Sequence, residues 1–257
     1  MTRFVHSLIT ETADRTPDYV ALKYGDKTLS YAALQKELGS FSSGLMAIGF
    51  GRNERVAIYA EKRFETVIAM FGTSLAGGVY VPINPLLKTE QVMHIMKDCS
   101  ARVLVTTSAR LKLIRDSLSQ DVSLKNIVVI DGVADMADSL NGISICSWAN
   151  FLMSSFVSGH RVIDSDMAAI LYTSGSTGKP KGVILSHRNI VAGADSVSEY
   201  LELDHRDNVL SVLPLSFDYG MNQLTATFRV GGQVVLMNYL MPQDILQSLA
   251  KEQITGL

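Results

Sequence analysis

The chain has 257 residues, 47% of them apolar and 19% charged, which is ample length and apolar content for a sizeable core. A net charge of −2 and a pI near 6.2 leave no basic excess for a nucleic-acid backbone. Cys99 and Cys146, the only cysteines, offer neither a disulfide framework nor zinc-ligand spacing, and suit a reducing cytoplasm.

The N-terminal run MTRFVHSLITETADR has no uninterrupted apolar core and no small-residue cleavage site, so it does not read as a signal peptide. Ser30 is placed to cap a helix whose stripe is Leu34, Leu38, Phe41, Leu45 and Ile48, stopped by Gly49. VAIYA (56–60) reads as a strand, followed by a helix with Phe64, Val67, Ile68, Phe71 and Leu75 on one face. VYVPI (79–83) is a second strand, and Val92, Ile95 and Met96 mark the next helix. RVLVTT (102–107), a helix around Ile114 and Leu118, and NIVVID (126–131) complete the series. Residues 66–87 carry no charge and are long enough for a bilayer, but Gly77-Gly78, Pro82, Asn84 and Pro85 divide them into helix and strand, so no membrane span is expected. Apolar strands separated by helices predict a doubly wound, mostly parallel α/β sheet.

Residues 132–166 are polar and turn-rich and read as a surface connection with a short helix around Trp148 to Met153. MAAILYT (167–173) is a buried strand, GVILS (182–186) a strand leaving the next loop, and Ser186 or Asn189 caps a helix carrying Ile190, Val191, Ala194, Val197 and Leu201. NVLSVLPL (208–215) and QVVLM (233–237) are further strands, and Pro242 opens a helix to about Glu252. The chain stops at ITGL as another apolar run begins, which reads as the start of an unfinished second α/β subdomain.

Between two of these strands lies YTSGSTGKPKG (172–182). A flexible linker does not belong between buried strands. The G-x-x-x-x-G-K-[ST] loop is excluded because Gly175 and Gly178 are too close and Pro180 follows Lys179, and G-x-G-x-x-G is absent. What remains is an inter-strand loop whose amides, hydroxyls (Thr173, Ser174, Ser176, Thr177) and lysines (Lys179, Lys181) suit a polyphosphate, weighed against a plain surface hairpin.

YTSGSTGKPKG resembles the signature loop of the adenylate-forming (AMP-forming) ligases, which include acyl-CoA synthetases and peptide-synthetase adenylation domains. LSYAAL (29–34), LAGGVYVPINP (75–85) and LPLSFDYG (213–220) match further motifs of that superfamily in order, so the resemblance spans the chain, though only the first half of such an enzyme. It implies ATP, Mg2+, a carboxylic acid, and coenzyme A or a carrier protein's phosphopantetheine as thiol acceptor. The phosphates would be held by Thr173, Ser174, Gly175, Ser176, Thr177, Gly178, Lys179, Lys181 and Gly182, and the acid by Asp218, Tyr219 and Asn222. It also implies that residues of about 55–205 form one subdomain, and that 1–54 with 206–257 begin a second. Later catalytic motifs are expected beyond residue 257, so the chain alone should be inactive.

Asp218 reads either as the cap of an Asp-x-Gly turn or, as in the amino-acid-activating branch, as the partner of a substrate ammonium. FDYGMNQL is similar to a bacterial acyl-CoA ligase group associated with exosortase systems, which leaves the substrate class open. The resemblance is read first as acyl-CoA synthetase, with amino-acid adenylation for a carrier protein as the alternative and a non-catalytic nucleotide- or carrier-binding module as another. His187, in SHRN, is read as lying near the site or as capping a helix, and Tyr59 and Tyr80 as core. The other histidines lack metal spacing, and the metal ligands are unassigned.

Overall fold

A computed structural model describes residues 3–118, 123–132, 139–140, 142–153, 155–173, 179–239 and 241–257. Five strands lie side by side and parallel in an eight-stranded sheet: β4 (Val79–Pro82), β3 (Arg55–Tyr59), β5 (Ala101–Thr106), β6 (Asn126–Val129) and β8 (Ile143–Ser147). The near-continuous burial of β3, β4, β5 and β6 is what a parallel sheet covered on both faces requires. β9 (Met167–Thr173) joins β4 in parallel, β10 (Lys181–Ser186) folds back antiparallel on β9, and β7 (Ser139–Leu140) closes the other edge.

The helices keep their expected stripes. Helix α2 (Tyr31–Ala47) starts at Ser30, whose side chain accepts from Ala33 N, and buries Leu34, Leu38, Phe41 and Leu45 against α3 (Phe64–Ala76). Helix α3 ends at Gly77, which takes a φ of 82°, a left-handed cap that a side chain would strain. α3 and β4 thus divide the uncharged stretch 66–87, and no helix among the described residues is long and apolar enough to cross a membrane.

A second sheet runs β11 (Asn208–Ser211), β12 (Gln233–Leu236), β1 (Val20–Tyr24), β2 (Lys27–Ser30). β1 and β2 were not expected from sequence. VALKY has an apolar run of only Val20 to Leu22; it pairs antiparallel with β2 across the turn at Gly25-Asp26 and in parallel with β12, Leu22 opposite Val234. α1 (Ser7–Arg15) packs between α2 and α8 (Asp218–Val230). β8 was also unexpected: ISICS lies in a segment that reads as surface connection, and becomes a strand by pairing with β6. The short helix there is α6 (Trp148–Phe151). The strand expected over 208–215 ends at Ser211, since Pro214 has no N–H for a ladder and Leu213 N instead meets Gln223 Oε1 at 3.4 Å.

Of the two readings of His187, the place at a helix start is the one met. It is the first residue of α7 (His187–Tyr200), beyond the end of β10 furthest from the loop, and Ser186 is the cap, accepting from Asn189 N. The imidazole is fully buried; Nδ1 accepts from Val5 N at 3.3 Å, and Nε2 has no partner among the described residues. It packs edge-on against Phe4 and His6. Burial lowers the pKa of both His6 and His187 to about 4. In an unfolded chain these rings titrate near 6.5, so the unfolded state takes up protons first and stability falls as pH drops from about 6.5 to 4. The loss is about 3 kcal/mol for His187 and less for half-buried His6. Denaturant midpoints measured from pH 7 to pH 4 should show this slope, and His187→Phe should flatten it.

Candidate functional site

The glycine-rich loop joins β9 to β10 at the carboxyl end of the parallel sheet, the end at which open α/β sheets present ligand sites. Ser174, Gly175, Ser176, Thr177 and Gly178 lie outside the described residues. The base of the loop is described. Lys181 stands opposite Thr173 in the hairpin register, and Thr173, Lys179 and Lys181 are all exposed. No hydrogen bond or ion pair engages either lysine side chain among the described residues.

Two contacts from α4 (Thr89–Asp98) hold this base in place: His94 Nε2 lies 3.1 Å from Pro180 O, and Tyr172 OH donates to Asp98 Oδ2. His94 has no metal spacing, and nothing local in its sequence marks a contact 86 positions away. Gly182 has a packing role. A Cβ there would lie 2.7 Å from Ile170 Cγ2 and 3.1 Å from the Tyr172 ring, so the bare backbone makes room for the tyrosine that reaches Asp98.

The second element is the segment from Val212 to Asn222. β11 gives way to a turn in which Phe217 N donates to Pro214 O at 3.1 Å, and α8 begins at Asp218. Phe217 is the cap residue and has no side-chain capping bond, so Asp218 does not cap the turn; it sits in the first helical turn, where a carboxylate suits the helix dipole. Asp218 and Asn222 are four residues apart and share a helix face. With Tyr219 they line a cavity of about 490 Å³ walled by Val197, Tyr200 and Leu213. The Asp218 carboxylate is exposed and has no hydrogen-bond partner among the described residues.

A second cavity of about 510 Å³ lies across the same segment. It is lined by Ile58, Lys62, Ile83, Pro214, Ser216 and Asn238, among others, and so sits where strands of both sheets end. Leu213 faces the first cavity and Val212 and Pro214 the second, so residues 212–214 are the partition between them. The hydroxyl of Ser216 is buried without a partner among the described residues. Glu61 and Arg110 form an ion pair at 2.6 Å on this cavity's wall, with the guanidinium over the Tyr59 ring. Lys62 is half-buried, and burial lowers its pKa to about 8. Tyr59 and Tyr80 are core residues, and the Tyr80 hydroxyl meets Met221 Sδ at 3.2 Å under α8.

Lys62 is engaged by backbone carbonyls of the cavity wall, whereas Lys179 and Lys181 have no partner among the described residues, and such cations beside Thr173 suit a polyanion. Among the described residues no group of three or more His, Cys, Asp or Glu could hold a metal ion.

The exposed lysines at the carboxyl end of the parallel sheet and the cavity lined by Asp218 together make up the candidate site. Residues 9–257 match the family described as AMP-binding enzyme, and the chain belongs to that family. It is 31% identical over 260 residues to a mycosubtilin synthase polypeptide of Bacillus subtilis, covering 98% of this chain and 9% of that protein. Its fold superposes with a TM-score of 0.86 on a long-chain-fatty-acid CoA ligase of Rhodopseudomonas palustris, at 20% identity over 98% of this chain and 62% of the other. VinN in complex with 3-methylaspartate gives a TM-score of 0.80 at 23% identity, covering 99% of this chain and 66% of VinN. The chain thus spans less than two thirds of the length of each of these proteins.

Proposed function

We propose that the protein activates a carboxylic acid with Mg2+-ATP to an acyl-adenylate and passes the acyl group to a phosphopantetheine thiol. The observation that carries this reading is the partition at 212–214, with a carboxylate-bearing cavity on one face and a second cavity at the strand ends on the other. The acid carboxylate would attack the α-phosphorus of ATP, pyrophosphate would leave, and the thiol sulfur would then displace AMP. Thr173, Lys179 and Lys181, with Ser174, Gly175, Ser176, Thr177 and Gly178, are assigned to the phosphates, where positive charge stabilises the departing pyrophosphate. Gly182 supports that loop through Tyr172. Residues of about 55–205 are assigned to one subdomain, and 1–54 with 206–257 to another.

Asp218, Tyr219 and Asn222 are assigned to the acid. A carboxylate on the cavity wall with no partner among the described residues favours an acid that carries an amino group, as does the likeness to VinN, seen in complex with 3-methylaspartate. The acceptor is coenzyme A in the acyl-CoA synthetase reading. The 31% identity to a mycosubtilin synthase polypeptide favours a second reading, in which the same phosphopantetheine arm is borne by a carrier protein.

ATP–pyrophosphate exchange by the full-length protein, scanned over amino acids and their des-amino analogues, tests the proposal. Asp218→Ala is expected to raise KM for the amino acid by about 100-fold, the cost of stranding an ammonium of about 3 kcal/mol, with KM for ATP unchanged. Equal exchange on amino and des-amino acids by the unaltered protein would remove the role given to Asp218.

A further inference from the structure

Lys62 lies in EKRF, a run that reads in sequence as solvated charge between β3 and α3. Its ammonium instead reaches into the second sheet, donating to three successive carbonyls: Ser211 O at 2.9 Å, Val212 O at 2.7 Å and Leu213 O at 3.1 Å. The same residue is held through its backbone, since Lys62 N donates to Asn238 Oδ1 at 3.1 Å and Asn238 Nδ2 donates to Lys62 O at 2.7 Å. Asn238 follows β12, and the three carbonyls belong to the end of β11 and the partition beyond it. One residue therefore grips the carboxyl ends of two neighbouring strands of the opposite sheet.

Two of the three carbonyls, those of Val212 and Leu213, lie beyond the end of the β11 ladder, where no strand pairing holds the backbone. From the other side, Gln223 of α8 reaches the same segment, with Nε2 on Leu210 O at 3.2 Å. The segment between these two side chains leads directly into Asp218. Three acceptors match the three protons of an ammonium, so its donors are used up and the charge is held by oriented dipoles. Glu61, the nearest carboxylate in sequence, is engaged by Arg110.

We propose that Lys62 is a positioning residue: by clamping the carbonyls of residues 211–213 it fixes the partition between the two cavities, and with it the acid-facing turn of α8. The proposal rests on the reading that the α8 cavity receives the acid. Lys62 touches the wall of the acid cavity from behind and acts through the backbone.

The test uses Lys62→Met, which keeps the stem and removes the donors, and Lys62→Arg, which keeps donors and charge. Hydrogen–deuterium exchange of the protein without ligand, and exchange kinetics with saturating ATP or saturating acid, are measured on each. Lys62→Met is expected to speed amide exchange over residues 212–221 by about tenfold or more while β5 and β6 keep wild-type protection. It should raise KM for the acid by about tenfold and leave KM for ATP within about twofold. Lys62→Arg should restore most of both. Unchanged protection at 212–221 in Lys62→Met overturns the clamp, as does a uniform loss of protection with both KM values moving together, which is the mark of a merely structural residue. If no acid supports pyrophosphate exchange, the functional reading fails, and the protection pattern at 212–221 still decides the clamp.

Discussion

Alanine at both Lys179 and Lys181 is expected to slow ATP-dependent pyrophosphate exchange by the full-length protein at least about 100-fold. Each charged hydrogen bond to a phosphate oxygen is worth about 1.5–3 kcal/mol, and about 1.4 kcal/mol is a factor of ten in rate or binding. Removing two such bonds together thus corresponds to about 10²- to 10⁴-fold. The folded structure should hardly notice the change. Both side chains are exposed and neither has an ion-pair or hydrogen-bond partner among the described residues, and surface substitutions of that kind stay within about 0.5 kcal/mol. The double variant should therefore unfold at the wild-type temperature while KM for ATP rises or kcat falls. Wild-type exchange rates with both lysines removed would end the assignment of this loop to the phosphates.

The parts of the fold that were legible in the sequence are those whose burial is imposed on both faces. Ile58, Val81, Leu104 and Val128 belong to short apolar runs because helices cover the sheet above and below. α2 and α3 were legible because their stripes repeat at helical spacing and end at Gly49 and Gly77. β1 and β2 have a local sign in the Gly25-Asp26 turn that folds them into a hairpin, but apolar periodicity does not carry it, and the parallel partner β12 lies more than two hundred residues away. The candidate site divides in the same way. The loop and FDYG are short motifs read directly from residues 172–182 and 213–220. The clamp by Lys62 depends on contacts 149 to 151 positions distant, and a lysine in a charge run carries no local sign of them. For His187, nearness to the loop in sequence is undone by β10, which carries it to the far end of the sheet, so of its two readings only the place at a helix start is met.

Gly220→Ala is expected to destabilise the protein by about 2 kcal/mol or more and to displace the acid-facing turn of α8. Helix propensity alone gives the opposite sign, since alanine inside a helix is favoured over glycine by about 1 kcal/mol. Space decides against it. A Cβ on Gly220 would lie 2.1 Å from Pro214 O and 3.0 Å from Leu213 O. These are backbone atoms that cannot swing aside, and forced repacking of this kind costs about 1–3 kcal/mol or more. Relief requires α8 to move away from the partition, which separates Asp218 and Asn222 from Leu213 in the cavity they share. It also pulls on Leu213 O, an acceptor of Lys62. Gly193 in α7 is the control: a Cβ there meets only Asn222 Nδ2 at 3.4 Å, a movable side-chain atom, so Gly193→Ala should be neutral or stabilising by up to about 1 kcal/mol. For a chain of this size about 1 kcal/mol moves Tm by about 2–4 °C. Thermal unfolding should therefore place Gly220→Ala at least about 4 °C below wild type and Gly193→Ala at or above it. Coincident melting of the two variants would mean that the contact between α8 and Pro214 does not hold the turn in place.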